Sequence, residues 1–178
     1  MKPINEMKVT FLSRSANEGF ARAAVAAFAA QLDPAVDELA DLRTAVSEAV
    51  TNAIVHAYPD RLGVVTLAVR LYENGKIQVQ VKDKGRGIPD VDKAMEPLYT
   101  TDETGERSGM GFAIMQSFMD TVRVKSAHGK GTTVELRKKF APPVKVSAAV
   151  GKTEELASVS VSNSSDTGKE TSEQEDIA

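Results

Sequence analysis

Residues 47–58 read SEAVTNAIVHAY. They form the second half of a long amphipathic pattern. Leu42, Ala45, Val46, Ala49, Val50, Ala53, Ile54 and Ala57 recur at the i, i+3, i+4, i+7 spacing of a core-facing helical stripe. Beside the stripe runs a second row at i, i+4, i+8: Glu48, Asn52 and His56. A helix that buries one face and lines its flank with a carboxylate, an amide and an imidazole has a core to join and chemistry to offer.

Upstream of this helix, Met7–Ser13 reads as a strand. Ser15 with Glu18 has capping-box spacing and opens a helix to about Gln31. Asp33-Pro34 supplies an N-cap and a first-turn proline, which predicts the long helix from there to about Ala57. Downstream, Gly63–Tyr72 is rich in β-branched residues, Asn74-Gly75 signals a two-residue hairpin turn, and Lys76–Asp83 alternates strictly. DKGRGIPD (83–90) is a glycine loop, and a short helix is expected near Val91–Met95. Residues 96–109 form a long irregular stretch. Met110–Met119 reads as a helix, and Thr121–Ala127 with Thr132–Phe140 as a second hairpin. The order predicts an α+β fold: a two-layer sandwich with a mixed, mainly antiparallel sheet carrying helices on one face.

The 178 residues suffice for one domain with a core. A net charge of -3 gives no reason to expect direct nucleic-acid binding or an anionic membrane as partner. The absence of cysteine excludes disulfides and thiolate chemistry, and two histidines are too few for a typical zinc site. The opening MKPINEMKVTF lacks the apolar run of a signal peptide, so a cytoplasmic protein is expected. From Ala141 onward there are three lysines, seven acids and many Ser and Thr. Such a composition buries too little apolar surface to order itself, and we read 1–140 as the domain and 141–178 as a disordered acidic tail.

Three clusters carry chemistry. Glu48 and Asn52 read alone are a solvated helix flank. Read chemically, the Asn amide oxygen suits Mg²⁺, which takes few protein ligands, and a Glu one turn away is placed to accept a proton. His56, nearer the apolar stripe, reads as a packed or capping histidine. The second cluster is Asp83, Gly85 and Gly87. As a plain turn it needs glycine for positive φ. As a site, an ionised carboxylate only accepts hydrogen bonds, which suits the exocyclic amine of adenine, and the glycines let a ring approach the backbone. The third is Arg107, Gly109 and Gly111. It opens a helix with free N–H groups, an anion site with an arginine fork beside it, behind a lid-like segment. Thr132-Thr133 after Gly131 adds hydroxyls, or is simply β-branched strand.

The order E-x-x-x-N on a helix, D-x-G-x-G after a strand, a lid ending in G-x-G, and G-T-T before the last strand resembles the GHKL ATP-binding family. That family holds the catalytic domains of histidine kinases, topoisomerases, a heat-shock chaperone and mismatch-repair ATPases, and the resemblance spans residues 7–140. A chain of this length leaves no expected room for a transducer domain, and neither histidine suits a phospho-accepting role. NEGFARAAVAAFAAQLDP (17–34), LRTAVSEAVTNAIVHAY (42–58), EPLYTTDETGERSGMGFAIMQSFMD (96–120) and GTT (131–133) are similar to the family's anti-sigma serine kinases. The sporulation, sigma F, branch comes first and the stress-response, sigma B, branch second.

The resemblance implies a homodimer that holds a sigma factor of the sigma F type away from polymerase. It implies Mg-ATP as phosphate donor to a serine of an anti-anti-sigma protein, with ADP in the complex that holds the unphosphorylated antagonist. It assigns Glu48 as general base, Asn52 as Mg²⁺ ligand, and Asp83, Gly85 and Gly87 to adenine. It gives Arg107 the γ-phosphate, Gly109, Gly111 and Thr133 the nucleotide's phosphates, and Arg22 the partner proteins. A nucleotide-dependent binding module without kinase activity is the alternative. The tail and Arg86 depart from the family pattern.

Overall fold

A computed structural model describes residues 2–96 and 109–142. Most of the expected lid, with Arg107, and residues 143–178 of the expected tail lie outside the described residues. The two alternating runs about Asn74-Gly75 form the centre of the sheet as β2 (Val64–Tyr72) and β3 (Lys76–Lys82), with Val69 opposite Val79. Only Gly75 is left-handed in this turn, at φ +74°, and its N–H bonds to the Tyr72 carbonyl at 3.1 Å. Asn74 is not left-handed, so the connection is the three-residue kind with glycine last rather than the expected two-residue turn.

Around this pair lie β1 (Asn5–Leu12), β4 (Thr121–Ser126) and β5 (Thr132–Lys139), in the order β1-β2-β3-β5-β4. All four pairings are antiparallel, so the sheet is wholly rather than mainly so among the described residues. Period-two alternation sends Val65, Leu67, Val69, Leu71, Ile77, Val79, Val81, Val134 and Leu136 to one face, all buried. The opposite face carries a polar lattice that needs no cover. Gln78 and Gln80 each donate to Glu135 Oε2 at 2.8 Å, and Arg137 pairs with the other Glu135 oxygen.

The apolar face is covered by α1 (Ala16–Ala29), α2 (Val36–His56) and α4 (Gly111–Phe118), with α2 packed between the other two. A short α3 (Val91–Ala94) follows the glycine loop and is capped by the Asp90 carboxylate on the Lys93 N–H. Every member of the stripe read from the sequence, Leu42 to Ala57, is buried.

The helix starts differ from expectation. Asp33 is not the cap of α2. It closes the preceding 3₁₀ turn, Ala30–Leu32, in the left-handed conformation (φ +50°), tolerated by a short polar side chain. The cap is Ala35, whose N–H donates to Glu38 Oε2 at 3.1 Å; the other Glu38 oxygen takes the Ala141 N–H at 2.9 Å. Ser15 makes no side-chain cap either. Its expected partner Glu18 instead accepts the Ser47 hydroxyl of α2 at 2.6 Å, where α1 packs on α2. No helix among the described residues is long and apolar enough to cross a membrane.

Candidate nucleotide-binding cleft

The flank of α2, the ends of β3 and β5, the loop after β3 and the start of α4 enclose a cleft of about 590 Å³. Glu48, Asn52 and His56 line one wall, since the i, i+4, i+8 row falls just off the buried stripe. Asp83, Gly87, Gly109 and Gly111 line the rest. Residues from three separate clusters therefore share one cavity.

Glu48 and Asn52 meet the start of α4. A Cβ on Gly111 would lie 3.0 Å from Glu48 Oε2 and 3.5 Å from Asn52 Nδ2. Only a residue without a side chain leaves that space open between them. The first N–H groups of α4 have no carbonyl of their own helix to bond. Gly109, at φ +63°, takes a turn that an L side chain resists. The helix end thus arrives at the two polar side chains as a cradle for an anion and a cation together.

Asp83 closes the other end. It is 4% exposed, and its Oδ1 accepts the N–H of Gly85 at 2.9 Å and of Thr132 at 3.1 Å. Burial pushes this carboxyl above its ordinary value; the backbone N–H bonds of Gly85 and Thr132, and its own, pull the other way without cancelling it.

Two glycines of this loop pack closely against neighbouring backbone. A Cβ on Gly85 would sit 2.1 Å from the Ala57 carbonyl oxygen, and Gly85 does not line the cleft. Gly87 does line it, but a Cβ there would stand 2.1 Å from the Ala127 carbonyl oxygen, which fills the space a side chain would need. The end of α2 therefore occupies the open side of Gly85.

Thr133 is not brought to the cleft. Val134 points to the helices, so Thr133 turns to the opposite face beside Arg123, Lys125 and Arg137, and Thr132 faces the cleft. Counting by twos from the apolar Val134 gives the same answer, so the signal was available in the sequence. Arg107 lies outside the described residues. Arg22 stands apart from the cleft on α1. It is half-exposed, with Nε 3.7 Å from Glu18 Oε1, and Glu18 in turn holds Ser47 next to Glu48. Arg86 and His128, which carry no role in the sequence reading, both line the cleft. Tyr58, which no local pattern singles out, is buried behind the loop.

Residues 11–138 match the histidine kinase-like ATPase domain family. The chain is 56% identical over 134 residues to an anti-sigma F factor of Caldanaerobacter subterraneus subsp. tengcongensis, covering 75% of this chain and 93% of the relative. It is 55% identical over 138 residues to an anti-sigma F factor of Geobacillus kaustophilus, covering 77% and 94%. The fold is shared with the RsbU and RsbW domains of a Mycobacterium tuberculosis protein at a TM-score of 0.59 and 22% identity, over 79% of this chain and 33% of that one. The chain belongs to the histidine kinase-like, or GHKL, ATPase family, among its anti-sigma F factors.

Proposed function

We propose that this protein is an anti-sigma factor and a serine protein kinase, which binds a sigma factor of the sigma F type and phosphorylates a serine of its anti-anti-sigma antagonist. The observation that carries the reading is the junction of Glu48, Asn52 and Gly111 at the start of α4, with the buried Asp83 across the same cleft.

The chain's own residues divide the work. Asp83 accepts a hydrogen bond from the adenine amine and rejects guanine, which presents an oxygen there. The N-terminus of α4, with Gly109 and Gly111, receives the phosphates, and Asn52 would hold a Mg²⁺ ion, which would supply positive charge against them. Glu48 accepts the proton of the incoming serine hydroxyl. The serine oxygen forms its bond to the γ-phosphorus as the bridging bond to the β-phosphate breaks. Arg107 adds charge at the γ-phosphate. Arg22, held by Glu18, faces the protein partners, and the active form is a cytoplasmic homodimer.

The reading is tested by incubating the protein with labelled ATP, Mg²⁺ and anti-anti-sigma proteins. Phosphoserine on the antagonist, blocked by chelating Mg²⁺, is expected. Nucleotide and sigma-factor binding without any transfer would make it a binding module instead.

A further inference from the structure

Tyr58 carries no role in the reading above, yet it is 8% exposed and lies just past the end of α2. Its hydroxyl donates to the Val64 carbonyl at 2.8 Å and accepts the N–H of Lys84 at 2.8 Å. Lys84 is the residue after Asp83. One phenol therefore bridges the start of β2 to the backbone that carries the adenine-reading carboxylate.

The bridge is built in from several sides. A Cβ on Gly63 would strike the Tyr58 ring at 2.1 Å, so the ring lies flat on bare backbone. Gly63 is pinned in turn: its N–H donates to Ser13 Oγ, and its carbonyl accepts the Ser13 N–H, both at 2.9 Å. On the other side, the Ala57 carbonyl accepts the Arg86 N–H at 2.9 Å, and Gly85 packs against the same carbonyl. Lys84 and Arg86 are thus both tied to the end of α2, and Asp83 is placed by Lys84 at one end and by its bond to Thr132 at the other.

We propose that Tyr58 is a positioning residue for nucleotide selectivity: its hydroxyl fixes the height of the Lys84 peptide and so the reach of the Asp83 carboxylate toward the base. This rests on the reading of Asp83 as the adenine acceptor. A hydrogen bond between base amine and carboxylate tolerates little displacement. Without the hydroxyl, the Lys84 N–H and the Val64 carbonyl both lose their partner, and the loop shifts to find others.

The test compares ATP and GTP binding in Tyr58→Phe, in wild type and in Tyr72→Phe, by titration calorimetry in Mg²⁺. Tyr72→Phe removes a hydroxyl bonded to Gln78 on the far face of the sheet and controls for general loss of stability. A smaller folded fraction lowers the apparent site number for both nucleotides alike and leaves the ratio of their affinities unchanged. The expected result is a fall of about fivefold in the ATP-to-GTP affinity ratio for Tyr58→Phe, the worth of about one net hydrogen bond, and no change for Tyr72→Phe. An unchanged ratio in Tyr58→Phe, or an equal fall in both variants, overturns the proposal while leaving Asp83 as acceptor. A wild type that does not favour ATP overturns the Asp83 reading and the proposal with it.

Discussion

Glu48 and Gly111 stand so close that a side chain on Gly111 would begin 3.0 Å from Glu48 Oε2. The relationship joins two segments far apart in the chain, and it sets the distance between the proposed proton acceptor and the helix start proposed to receive the phosphates. Gly111→Ala should fold, since the Glu48 carboxylate is the flexible end of a side chain. It should lower the phosphorylation rate by about tenfold or more, because a small misplacement at a reacting centre is costly. Single-turnover phosphorylation of the antagonist measures it, and an unchanged rate would separate Glu48 from the chemistry.

Glu48→Gln and Asn52→Ala should fail in different ways. The first keeps the shape and removes the proposed base, so Mg-ATP and sigma-factor binding should persist while transfer falls at least about a hundredfold. The second deletes the proposed metal ligand and should weaken Mg-ATP binding itself. Calorimetry and a transfer assay run on both variants distinguish the two losses.

Asp83→Asn should weaken ATP binding about tenfold or more, as expected for loss of a charge-assisted bond, without lowering the melting temperature at neutral pH. The sign follows from burial. The folded carboxyl holds its proton to a higher pH than the unfolded one, whose ordinary value is 3.8. As pH rises from there through the folded value, the unfolded state ionises first, and the native state loses stability relative to it. Asn escapes that loss and can still accept the Gly85 and Thr132 N–H bonds with its amide oxygen. A pH series of melting curves should show wild type falling relative to Asp83→Asn as pH rises above 3.8; a gap that narrows instead would contradict the burial argument.

Gly85→Ala should destabilise the fold by about 2 kcal/mol or more. Its Cβ meets the main chain of Ala57 rather than a side-chain tip, and neither backbone can yield without breaking the Arg86 bond to the same carbonyl. Denaturant unfolding of the variant provides the check. A stable Gly85→Ala that loses only ATP binding would instead give the glycine a direct part in the adenine site.

A chain shortened to Pro142 should keep Phe140 buried and the Ala141 bond to Glu38, and should melt within about three degrees of full length. The composition beyond that point offers little apolar surface to bury. A larger drop in a thermal scan would show that residues 143–178 contribute to the stability of the domain.

The sequence by itself determined the elements and their faces. The stripe from Leu42 to Ala57 is buried as spaced, because period 3.6 leaves a helix one way to cover a sheet. The alternation in Lys76–Lys82 likewise dictated which side of β3 meets the helices. The row of Glu48 and Asn52 was legible for the same reason, as polar residues beside a stripe that must face inward. Tertiary structure alone decided contacts between segments distant in the chain. Nothing near Gly85 announces that the Ala57 carbonyl will fill its open side, and nothing near Tyr58 announces Lys84 as its partner. Asp33 and Ser15 show the same limit from the other direction. Both carry local cap signals, and in both cases the fold found another arrangement: Asp33 closes a turn, and Glu18 turns to Ser47. A cap is worth about 1 kcal/mol, which packing of one helix against another readily overrides, whereas the burial of a whole stripe is not so easily displaced.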